Sequence, residues 1–80
     1  MTNSSQFRLL RIICEHGPIS VKDAARELGI TPPSVSQMAI RLEGRGLAMR
    51  QNHRLDLRRI DLVPTDAGRT FVAEDCEETA

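Results

Sequence analysis

Apolar residues along this chain recur first at helical spacing and later in alternation, and the switches divide the sequence into a series of short elements. Phe7, Leu10, Ile13 and Cys14 fall on one helical stripe, which Leu9 and Ile12 widen. A first helix is therefore predicted from a cap at Ser4 or Ser5 to about His16, where Gly17-Pro18 stops it. Ser20 then opens a second helix, with Asp23 three residues on in a capping-box-like arrangement. It spans Val21–Leu28 and ends at Gly29, which suits a left-handed C-cap. Thr31 caps a third helix and Pro32 occupies its first turn, where a missing N–H costs nothing. That helix is expected to run to about Arg45, with Val35, Met38, Ala39 and Leu42 on its apolar face.

After Gly44-Arg45-Gly46 the period changes. Leu47–Arg50 and Arg58–Val63 read as two strands around a polar loop, Gln51–Leu57. Ile60 and Leu62 alternate with Arg59 and Asp61, which predicts a sheet buried on the Ile60/Leu62 face. Pro64 ends the second strand, and Thr65 caps a last helix over roughly Asp66–Glu78, with Ala67, Phe71 and Val72 on its apolar side. The order helix, helix, helix, hairpin, helix is an α+β, mainly α, arrangement: a winged helix-turn-helix with three helices, a two-stranded β-hairpin wing and a C-terminal helix. Residues 1–80 are expected to form one domain.

The stretch Val21–Ile40 meets the demands of two helices crossing steeply over a short turn. Ala25, with Ala24 beside it, is small where the helices approach; Gly29 tolerates positive φ; Leu28, Ile30, Val35 and Met38 are placed to clamp the pair. An ordinary helical hairpin would meet these demands too; as a helix-turn-helix, the pair makes the third helix a recognition helix for the major groove of double-stranded DNA. Thr31 stands at its start, and Pro33, Ser34, Ser36, Gln37, Ile40 and Arg41 face outward. Serine hydroxyls suit phosphate or base edges, Gln37 paired hydrogen bonds to adenine, Arg41 guanine or phosphate, and Ile40 a thymine methyl. A merely solvated face would also be rich in Ser and Gln.

Composition narrows the class. Phe7 and Phe71 are the only aromatic residues, so the core is aliphatic and small. A chain of this length buries roughly 60% of its unfolded surface, which makes partner-assisted folding relevant. A homodimer built from the first and last helices is expected, because Phe7, Leu10, Phe71 and Val72 are more apolar surface than so small a monomer easily covers. The net charge of zero hides a segregation. Residues 41–60 carry Arg41, Arg45, Arg50, Arg54, Arg58 and Arg59 against Glu43 and Asp56, or +4. Residues 61–80 carry Arg69 against Asp61, Asp66, Glu74, Asp75, Glu77 and Glu78, or −5. The basic segment coincides with the elements that would touch phosphate.

From the wing onward the chain resembles the MarR family of bacterial transcription regulators. Gly46-Leu47 is followed ten residues after Gly46 by Asp56 and then Arg58, as Asp-Leu-Arg; Thr65 and Gly68 follow as Thr-Asp-Ala-Gly. The family shows Gly-Leu, Asp-x-Arg and Leu-Thr-x-x-Gly at this spacing, with Pro64 here in place of the leucine. Ile19-Ser-Val-Lys-Asp-Ala-Ala-Arg-Glu-Leu-Gly-Ile and Ser34-Val-Ser are also similar, so the match runs over about Ile19–Gly68. The resemblance implies that Arg58 enters the minor groove from the wing tip and that Asp56 braces the hairpin or the guanidinium. His53, Arg54 and Arg59 would add phosphate contacts. It also implies a transcription regulator. Family members carry longer terminal helices that form the dimer and enclose an effector pocket, and the short flanks here put small-molecule sensing in doubt.

Other classes are less well supported. Cys14, His16, His53 and Cys76 do not have the spacing of a metal site, and Cys14-x-His16 is poor geometry on one helix. No metal, cofactor or enzymatic activity is expected, since no nucleophile–base pair or phosphate loop is recognisable. No stretch approaches the ~20 apolar residues of a membrane helix, and no leader is recognisable. Cytoplasmic, nucleoid-associated residence with reduced thiols is the expectation. The alternative of another class is a winged-helix adaptor that binds protein without DNA, using the acidic tail Glu74–Glu78.

Overall fold

A computed structural model describes residues 5–52, 55, 56 and 58–79. Ser4, His53, Arg54 and Leu57 lie outside the described residues, as does the side chain of Cys76. The elements in chain order are α1 (Ser5–His16), β1 (Ile19–Ser20), α2 (Val21–Leu28), α3 (Pro32–Gly44), β2 (Ala48–Asn52), β3 (Ile60–Pro64) and α4 (Asp66–Thr79).

The helix boundaries follow local chemistry. The Ser20 Oγ accepts from the Asp23 N–H at 3.0 Å and satisfies one free donor of α2. Gly29 sits at φ 70° and ψ 31°, a left-handed cap that a side chain would strain, and the Ile30 N–H closes the turn onto the Ala25 carbonyl at 3.1 Å. Thr31 caps α3 and Pro32 takes its first turn. The helix stops at Gly44, with Arg45 as its C-cap.

The core is aliphatic. Leu9, Leu10 and Ile13 of α1, Ala24 and Ala25 of α2, Val35, Ala39 and Leu42 of α3, and Leu62 of β3 are buried together. Leu28, Ile30 and Met38 pack partly buried against them, so the predicted clamp of the helix pair is present. Leu10 was expected to contribute surplus apolar surface for a partner; it is fully buried within this chain and contributes none.

The sheet has three strands in the order β1-β3-β2. The predicted hairpin pairs Ala48↔Pro64 through Asn52↔Ile60; β2 starts one residue later than expected and runs to Asn52 in the predicted loop, while β3 starts two residues later and takes in Pro64. The added strand, β1, pairs Ile19↔Leu62 and Ser20↔Asp61. Two residues are too short for any periodicity to reveal; only the long-range pairing makes them a strand. The expected alternation in β3 also fails in part. Leu62 is fully buried, but Ile60 is 39% exposed and Asp61 is only 7% exposed. Ile60 lies past the end of β1, paired only with Asn52, and lines an open cleft, whereas Asp61 is flanked on both sides, in register with Ser20 and Gln51.

On α4, Phe71 and Val72 pack partly buried against the core, but Ala67 is exposed. Gly68 takes the buried position instead. A Cβ there would overlap the Leu47 carbonyl and crowd the Leu10 side chain, so the close approach of α4 to the α3–β2 turn requires a glycine.

Candidate nucleic-acid interface

Helix α3 divides its residues cleanly. Val35, Ala39 and Leu42 face the core, while Thr31, Pro33, Ser34, Gln37, Ile40 and Arg41 are exposed. Ile40 leaves 52% of its surface open to solvent on that polar face. Ser36, expected to face outward, is half-buried and turns toward the wing, where it lines a cleft.

At the helix start the hydroxyls are already engaged. The Thr31 Oγ1 accepts from the Ser34 N–H at 3.4 Å, and the Thr31 and Ser34 hydroxyls share a hydrogen bond of 3.0 Å. Whichever of the two donates, the other keeps its proton for an outside acceptor. The pair thus offers one free donor at the positive end of a helix, a favourable place for an anionic oxygen.

The wing turn is organised by Asp56. Its Oδ1 accepts from the Arg58 N–H at 3.0 Å, and its carbonyl accepts from the Arg59 N–H at 3.0 Å. The predicted brace therefore acts on the hairpin backbone, not on the guanidinium. Arg58 is exposed on this fixed turn, and no ion pair of its side chain is found among the described residues. Arg59 differs: its Nε donates to the Asp61 Oδ1 at 3.1 Å. Arg54 lies outside the described residues.

Between the wing and the helices lies an open cleft of about 620 Å³. Arg58, Arg59 and Asp56 line it from the wing, Pro32 and Ser36 from α3, and Lys22 and Asp23 from α2. Lys22 was not singled out from sequence. A lysine in the first turn of a helix has no distinguishing local signal, and only the packing of α2 against the wing brings it to this cleft. A second ion pair, Arg50 Nε to Glu43 Oε1 at 3.0 Å, ties β2 to the end of α3. The α3 terminus is held from the other side as well, where the Arg45 guanidinium lies 5.4 Å from the centre of the Phe71 ring. Phe71 in turn packs against Phe7, with ring centres 6.1 Å apart.

Cys14 is half-buried on α1, and its burial raises the thiol pKa above the ordinary value; nearby Arg69 opposes this shift and Glu15 adds to it. No helix among the described residues is long and apolar enough to cross a membrane.

Comparison with known proteins places these features in a lineage. The model of the MarR family matches residues 2–60. The chain is 34% identical over 73 residues to the HTH-type transcriptional regulator FarR of Neisseria gonorrhoeae, covering 91% of this chain and 50% of that protein. It is 36% identical over 64 residues to the HTH-type transcriptional repressor MdtR of Bacillus subtilis (strain 168), covering 80% of this chain and 41% of that protein. The chain thus spans about half the length of these relatives or less. Among solved structures, the transcriptional repressor CouR bound to a 23-mer DNA duplex superimposes with a TM-score of 0.88 at 31% identity, over 96% of this chain and 54% of that one. With the winged helix-turn-helix, the braced Asp-Leu-Arg wing and the Thr-x-x-Gly helix start all in place, the chain belongs to the MarR family.

Proposed function

We propose that this chain is the DNA-reading unit of a transcription regulator. In this reading α3 enters the major groove and the wing reaches the adjacent minor groove. The observation that carries the proposal is the pairing of two exposed surfaces, each carrying an arginine, beside one cleft. One is the outward face of α3, and the other is Arg58 on the Asp56-braced turn. The likeness to CouR, a repressor solved on a DNA duplex, supports it. Thr31, Pro33, Ser34, Gln37, Ile40 and Arg41 serve as the groove-facing set, Gln37 and Arg41 reading bases. Ser36 acts from the cleft behind them. Arg58 probes the minor groove, and Arg54 and Arg59 meet phosphates.

The same reading takes the functional unit to be a symmetric homodimer that works in the cytoplasm, on the nucleoid. Within this chain the half-buried Phe7, Phe71 and Val72 remain for such a contact. Two copies would set two recognition helices about one helical turn apart. No cofactor takes part. The test is affinity for duplex DNA across a range of salt concentrations, where each neutralised phosphate adds about −0.9 to the slope of log affinity against log salt. A steep slope is expected. Absent or salt-independent binding would favour the protein-binding adaptor.

A further inference from the structure

Asp61 is an anomaly in the wing. A carboxylate stands in the central strand of the sheet with a side chain only 10% exposed, between the backbone positions of Ser20 and Gln51. Burying a charge is unfavourable unless it is paired. Its partner is Arg59, two residues back at the end of the wing turn, whose side chain is 45% exposed. The contact is made through Nε, at 3.1 Å.

The choice of nitrogen matters. A guanidinium is a planar fork, and a carboxylate that takes its Nε side leaves N–H donors on the outer edge for a second acceptor. Arg59 also lines the cleft, together with Lys22, Arg58, Asp23 and Asp56, so the residue that carries those donors borders the candidate interface. Its backbone is fixed as well, by the bond from its N–H to the Asp56 carbonyl. Backbone and head group are thus both set before any ligand arrives.

Resting on the DNA-binding reading above, we propose that Asp61 is a positioning residue for DNA. It holds Arg59 at the base of the wing so that the outer edge of the guanidinium meets one backbone phosphate. Arg58 and Arg59 then have separate tasks. Arg58 probes the groove from the tip, and Arg59 fixes the register of the wing against the sugar–phosphate chain.

The experiment is a double-mutant cycle, read as affinity for mixed-sequence duplex DNA at several salt concentrations. Asp61→Asn keeps the shape and removes the charge that pins Arg59. It is expected to weaken binding roughly three- to tenfold, with little change in salt slope. In an Arg59→Ala background the same change is expected to have no weakening effect. Arg59→Ala alone lowers the salt slope by about one. Because Asp61 is buried, Arg59→Lys provides a second arm at an exposed position. It retains the charge but not the fork, and is expected to weaken binding to a similar degree as Asp61→Asn. If Asp61→Asn binds as tightly as the parent or tighter while Arg59 is present, the carboxylate withholds Arg59 from DNA and the proposal is overturned. Parent-like binding by Arg59→Lys overturns it too. Failure of the parent itself to bind any duplex would instead sink the DNA-binding reading, and this inference with it.

Discussion

The Thr65 hydroxyl donates to the Gly46 carbonyl at 2.6 Å, joining the start of the last helix to the turn that follows α3. The same oxygen accepts from the Gly68 N–H at 3.0 Å, so one side chain caps α4 and anchors it to the α3–β2 turn. The Thr65 N–H adds a third link, to the Leu47 carbonyl at 3.3 Å. This knot sets the position of α4 relative to α3, and Gly68 is what lets the helix approach so closely.

Thr65→Ala should therefore lower stability by about 1–2 kcal/mol, since it removes a helix cap together with a tertiary hydrogen bond. Thr65→Ser keeps both bonds and should retain most of that stability. Equilibrium denaturant unfolding of the two variants separates the hydroxyl from the methyl group.

Gly68→Ala should cost about 1–3 kcal/mol through overpacking against the Leu47 backbone, which has no flexible side chain to yield. A substitution of the exposed Ala67 by serine should be close to neutral by comparison. The contrast can be read in one thermal unfolding series. Equal effects at the two positions would contradict the packing described for α4.

Gln37→Ala and Arg41→Ala should change which sequences are preferred, with a cost of ~1–3 kcal/mol at a matched base where a bidentate contact is lost. Arg58→Ala should weaken all sites in similar proportion, because a minor-groove arginine senses groove width more than base identity. Asp56→Ala should be milder, since it loosens the Arg58 backbone and leaves its charge. Affinities for a preferred site, a mismatched site and an A-tract-flanked site decide among these. If Arg58→Ala matches the parent on all three, the wing assignment fails.

Cys14 gives a prediction in pH. Its thiol pKa is raised in the folded chain, chiefly by burial, so the folded state holds the proton more tightly than the unfolded state. The associated stability is present below the unfolded thiol pKa and is lost as pH rises through the folded value. Alkylation of Cys14 near neutral pH should be slower than that of a free thiol, and Cys14→Ser should flatten the alkaline fall in stability. An alkylation rate at neutral pH equal to that of a free thiol would contradict the placement.

Much of this molecule is encoded at short range. Caps, glycines and helical stripes act within a few residues, so α2 appears at its predicted limits, Val21–Leu28, and α3 begins at Thr31-Pro32 as read. The same holds for the exposed set on α3 apart from Ser36, because a period of 3.6 assigns faces without knowledge of neighbours. The spacing of Asp56, Arg58, Thr65 and Gly68 carried the family resemblance. What sequence reading missed depends on residues distant along the chain. Ile19–Ser20 becomes a strand only because β3 lies beside it. Ser36 and Lys22 turn to the cleft because α2, α3 and the wing converge there. Leu10 is wholly internal because Gly68 brings α4 down onto it. Alternation predicted an exposed Asp61 and a buried Ile60. The tertiary structure reverses both, since burial along a strand is set by what packs over each residue, and here β1 and Arg59 enclose one position while the other lies past the end of β1 on an open cleft.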